Sequence, residues 1–152
     1  MKSDVIRPVL QALVLTERVY TDISGMKIIA GTFNEITTQK IVTPQVERRA
    51  DGSSVSMLQG GTDPGCPSLY ISLTEVESGT ELAIQFVNAK ESKVIFQMAL
   101  KIENADRVGT VEIVAPLPPM AKLAREPGVF SFDVMWNGEI LGSHRMTVTT
   151  KE

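Results

Sequence analysis

The chain has 152 residues, with fifteen lysines and arginines against eighteen aspartates and glutamates, for a formal charge of −3. That length predicts one domain, residues 1–152, burying about 68–70% of the surface its unfolded chain exposes, so neither a disulfide nor a metal is needed to hold it. A mildly acidic composition with no basic stripe excludes nucleic acid and an anionic membrane surface as expected partners.

Residues 1–8 read as a short tail that Pro8 closes, because proline cannot donate to a ladder and suits the first position of a strand. There is no apolar leader region ahead of the first strand, so no signal peptide is predicted. The apolar runs are a few residues long, far short of a membrane span. Val9 to Tyr20 is the first long strand, apolar on both faces through Ala12-Leu13-Val14-Leu15. Such a run predicts one side against an opposing sheet and the other under a loop or a partner. Thr21 to Gly25 is a turn, and Met26 to Ile36 returns as a second strand in which Gly31 marks a bulge or a close backbone approach.

Residues 37–49 hold one short strand around Gln45 to Arg48. A long irregular loop is predicted over 50–67, rich in glycine, serine and proline. Loops of that length inside a compact domain are uncommon and tend to carry function. Asp51, Gln59, Asp63 and Cys66, with neighbouring Tyr70, are therefore the candidate ligand or partner residues. No phosphate cradle is predicted there, because the glycines neither end in Gly-Lys-Ser/Thr nor lead into a helix. Asp51 and Asp63 do not match the alternating spacing of a calcium loop.

Alternation then resumes at Leu69, Ile71 and Leu73, at Leu82, Ile84 and Phe86, and at Val94, Phe96, Met98, Leu100 and Ile102. Val111 and Ile113 mark a shorter strand. Pro116 to Glu126 predicts a rigid crossover, with one helical turn over Met120 to Arg125. The chain closes on a hairpin. Phe130, Phe132, Val134 and Trp136 share one face of a strand, and Asn137-Gly138 supplies the positive φ angles of a type I′ turn. In the return strand Ile140, Gly142, His144, Met146 and Val148 face one way, and Leu141, Ser143, Arg145 and Thr147 the other. Eight or nine short strands with turns between them predict an all-β fold, an antiparallel immunoglobulin-like β-sandwich, with a partly open β-barrel as the alternative.

The residue types of catalysis are scarce. His144 is the only histidine and Cys66 the only cysteine, too few for a Cys/His zinc site, and no nucleophile, base and orienting carboxylate share a motif. No catalytic residue, cofactor or metal is predicted. A lone cysteine, with no intramolecular disulfide open to it, points to a reducing compartment and so to the cytoplasm. The seven methionines are expected to fill gaps in the core. Trp136 is expected to anchor the core edge, its truncation to alanine costing ~3–5 kcal/mol.

The run Leu13 to Tyr20, then Gly25 to Asn34, and finally the Pro-Gly-x-Phe-x-Phe strand and Asn-Gly hairpin of Pro127 to Gly138 resemble a family of small uncharacterised bacterial proteins. The resemblance implies a sandwich from a bacterial cytosol and carries no activity with it. The expected function is therefore a non-catalytic protein-interaction or structural module. Its partner is an unknown protein, or a second copy of the chain bound through edge strands or the first strand. A small-ligand or glycan-binding domain using the 50–67 loop is the alternative.

Overall fold

The computed structural model describes residues 5–39, 45–48, 54–57 and 66–151. Pro8 is followed directly by β1 (Val9–Thr21), and β2 (Lys27–Thr32), β3 (Glu35–Gln39), β4 (Gln45–Arg48) and β5 (Ser54–Met57) complete the N-terminal part. After these come β6 (Ser68–Thr74), β7 (Thr80–Asn88), β8 (Lys93–Ile102), β9 (Val111–Pro116), α1 (Met120–Leu123), β10 (Gly128–Trp136) and β11 (Glu139–Lys151). The described residues thus hold eleven strands, where alternation alone suggested eight or nine. The long second strand expected over Met26 to Ile36 is split between β2 and β3, and the expected irregular loop over 50–67 contains β5, which pairs with β4.

Two sheets face each other, in the orders β2-β1-β6-β9 and β3-β11-β10-β7-β8, and neither closes into a barrel. The chain changes sheet between β2 and β3, returns by β6, and changes again between β6 and β7, between β8 and β9, and through α1 between β9 and β10. In immunoglobulin lettering β1, β6 and β9 stand as A, B and E, while β8, β7, β10 and β11 stand as C′, C, F and G. The predicted sandwich is the observed one. β3 joins parallel to β11, with Val148 opposite Ile36.

The final hairpin supplies the middle of the larger sheet, since β10 lies between β11 and β7. Asn137 and Gly138 take φ values of 46° and 77°, as the turn requires. Phe130, Phe132 and Val134 pair with Met146, His144 and Gly142, so one face of the hairpin points inward. A register shift after Val134 leaves Leu141 as an extra residue and sets Ile140 opposite Met135. Ile140 is consequently 51% exposed, and the expectation that it shares the inward face is corrected by this bulge.

Phe86 is the centre of the core, its ring 5.1 Å from Phe130 and 4.8 Å from Phe132. Leu69, Ile71 and Leu73 of β6 and Leu15 of β1 close on it from the smaller sheet, all fully buried. Each such side chain contributes about 1.5–3 kcal/mol through burial. The crossover also packs: Leu117, Met120 and Leu123 are buried, and the Leu117 N–H donates to the Pro67 carbonyl at 2.9 Å. Phe96, Met98 and Leu100 pack against the core but stay half-buried, because β8 is an edge strand among the described residues. Trp136 is half-buried at the core margin. Met120 and Met146 fill the core as expected, whereas Met26 is exposed.

Candidate functional site

Of the loop residues singled out from sequence, Asp51, Gln59 and Asp63 lie outside the described residues. Cys66 is exposed just ahead of β6. Tyr70 lies on the outer face of β6, between Val14 of β1 and Val114 of β9. Its hydroxyl donates to Glu112 Oε2, 2.5 Å away. That hydrogen bond to a carboxylate, with partial burial, raises the tyrosine's pKa and commits the hydroxyl to a partner on its own sheet. The expected second cover over β1 is partly explained here, since Ala12 and Val14 are half-buried beside Ser72 and Tyr70.

His144 lies opposite Phe132 on the inward face of β11 and is half-buried. Its Nε2 is buried with no hydrogen-bond partner among the described residues. Among the described residues it is joined to no hydroxyl, thiol or carboxylate, and no group of three or more His, Cys, Asp or Glu is placed to hold a metal ion. No helix among them is long and apolar enough to cross a membrane.

The most unusual surface lies where sequence reasoning saw a plain turn. Beyond Thr16, β1 leaves β6 and its pairing continues with β2, forming a two-stranded arm. Tyr20 and Ile28 are cross-strand partners, 47% and 49% exposed. At the tip, Met26 is 66% exposed and Ile23 stands fully in solvent. Four large apolar side chains therefore share one end of one hairpin. An isoleucine inside an otherwise polar Asp-Ile-Ser-Gly turn was the signal that sequence offered.

The tip is held in one shape. Asp22 Oδ1 accepts from the Ser24 N–H at 2.8 Å, the Ser24 hydroxyl at 2.6 Å and the Met26 N–H at 2.9 Å. The Asp22 N–H in turn donates to the Met26 carbonyl at 2.9 Å. The Ser24 hydroxyl, then the Met26 amide, hold the Asp22 carboxyl below the usual aspartate range. Gly25 takes φ of 89°, a region that suits glycine. Such an aspartate-centred turn pre-sets the tip, so little ordering entropy remains to be lost on docking.

A groove of about 480 Å³ runs between the β8 edge and α1. Val94, Ile95, Leu123 and Phe130 supply its apolar walls, and charged side chains such as Lys93 and Glu126 stand around it. Val94 and Ile95 are exposed there because β8 has no neighbour on that side among the described residues and carries a bulge after Phe86 of its partner strand. No family model matches the chain, and no curated protein matches it.

Proposed function

We propose that the protein is a non-catalytic interaction module whose docking element is the apolar end of the β1–β2 arm. The observation that carries this reading is the exposed set Tyr20, Ile23, Met26 and Ile28 on a turn fixed by Asp22. Clustered apolar side chains lose free energy in water and regain it when a partner covers them. A second copy of the chain is the partner favoured here, because the chain carries its own apolar groove between β8 and α1. Inserting the arm of one copy into the groove of the next is a head-to-tail contact, which builds a ring or a filament. The single exposed thiol fits a reducing, cytoplasmic setting. The likeness to small bacterial proteins at both ends of the sequence agrees with that setting and names no reaction.

Sedimentation velocity over a wide concentration range tests the reading. The wild-type chain is expected to associate as concentration rises, and Ile23→Ser combined with Met26→Ser to remain monomeric with unchanged circular dichroism. A photoreactive amino acid replacing Ile23 is expected to cross-link to the segments around Ile95 and Leu123 of another copy. A wild-type monomer at every concentration, with no cross-link to any protein in an extract of the source cells, overturns it.

A further inference from the structure

The larger sheet has a second face, turned away from the core, and its centre breaks the rules of strand composition. Aspartate is depleted in strands, yet Asp133 occupies the middle of β10, itself the central strand of five. Its residue is only 8% exposed. Oδ1 accepts the Ser131 hydroxyl at 2.9 Å, and Oδ2 has no hydrogen-bond partner among the described residues. Gln85 is the cross-strand neighbour, but its amide donates instead to Gln97 Oε1 at 3.2 Å. A largely covered carboxylate with one hydrogen bond gives up hydration for little return. Nothing in the packing of β10 requires it.

The groups around it are chemically complementary. Ser143 pairs with Asp133 across β11, and Arg145 pairs with Ser131, which sets Arg145 diagonal to the carboxylate. Arg145 is exposed and makes no ion pair among the described residues. These side chains, with Val87 and Ala89, line a depression of about 560 Å³. The lining thus brings together an anion and an uncommitted guanidinium, with the hydroxyls of Ser92, Ser131 and Ser143 and a small apolar wall. Positions that break local rules without a structural gain mark binding sites.

We infer that this depression binds a small zwitterion of the α-amino acid class. The ligand's ammonium group donates to Asp133 Oδ2 and a serine hydroxyl, its carboxylate takes the guanidinium fork of Arg145, and its side chain lies against Val87 and Ala89. The site is independent of the β1–β2 arm.

The test is a titration of the ¹⁵N-labelled full chain with the standard amino acids, each up to about 10 mM, where even weak binding is visible. At least one amino acid is expected to give saturable shifts confined to the amides of residues 87–89, 131–133 and 143–145. Its N-acetyl derivative, which lacks the ammonium, and its amide, which lacks the carboxylate, are each expected to bind at least about tenfold more weakly, as loss of a charge-assisted contact requires. Asp133→Asn and Arg145→Gln are expected to reduce affinity by a similar factor. Arg145 is exposed, so its variant reports on binding even if Asp133→Asn fails to fold. No saturable shift with any amino acid overturns the inference. So does an amide that binds as well as the acid, or unchanged affinity in Arg145→Gln.

Discussion

Leu10 of β1 lies directly over Gly142 of β11, so that a Cβ built on the glycine falls well inside 3.0 Å of Leu10 Cδ2. The two residues come from opposite sheets, and their contact closes one side of the sandwich. Gly142 is in ordinary strand conformation and is glycine for space, not for backbone freedom. Gly142→Ala is therefore expected to lower stability by ~1–2 kcal/mol through overpacking, less whatever Ala gains as a better strand residue. In Leu10→Ala the same substitution should be nearly harmless, giving a coupling of roughly 1 kcal/mol in a urea-denaturation double-mutant cycle. Additive losses would mean that Leu10 swings aside without cost.

The arm tip carries a pH signature. The Asp22 carboxyl is held below its usual range by the Ser24 hydroxyl and then the Met26 amide. A depressed folded value means the carboxylate supports the turn above the unfolded-state value, and that support fades as pH falls through the folded one. Followed by NMR, the Ser24 and Met26 amide protons should titrate together, with a midpoint below that of aspartate in an unstructured peptide. Asp22→Asn should abolish the titration. A midpoint at or above the peptide value would show that the tip is not pre-set.

Much of this fold was legible because its information is local. Alternation in Phe130 to Trp136 and the Asn137-Gly138 turn defined a hairpin that the structure reproduces, and Pro8 placed the start of β1. β3 escaped because its partner is β11, over a hundred residues away and parallel, so nothing in Glu35 to Gln39 announces it. Ile140 was misplaced because one extra residue at Leu141 inverts the alternation, and a bulge leaves no compositional mark. Surfaces were less legible still. Alternation put Asp133 opposite in face to Phe132, but its shielding depends on neighbours from β7 and β11. Likewise Ile23 became conspicuous only once its turn was seen beyond the reach of β6.

Burial reorders the aromatic anchors. Phe132 is fully buried against Phe86, 4.8 Å between ring centres, whereas Trp136 is half-buried where β10 ends. Phe132→Ala should cost ~3–5 kcal/mol in urea denaturation, since it leaves a cavity in the middle of the core. Trp136→Ala should cost about 2 kcal/mol, less than its size alone suggests, because solvent refills part of the vacated space. Equal midpoints for the two variants would contradict the placement of the core on Phe86.

His144 should be a stability defect that substitution can repair. It faces inward opposite Phe132, in a row otherwise occupied by Met146 and Val148, and its Nε2 is buried without a partner. An unpaired buried polar atom forfeits its hydration with nothing in return, whereas an aliphatic side chain of similar volume has no such loss. His144→Leu is expected to raise stability by about 1 kcal/mol, read as a higher urea midpoint with an unchanged slope. His144→Gln keeps a polar end in the same place and should give no gain. If leucine destabilises the chain instead, the imidazole has a partner that only the solution state supplies, and the histidine belongs to a working site.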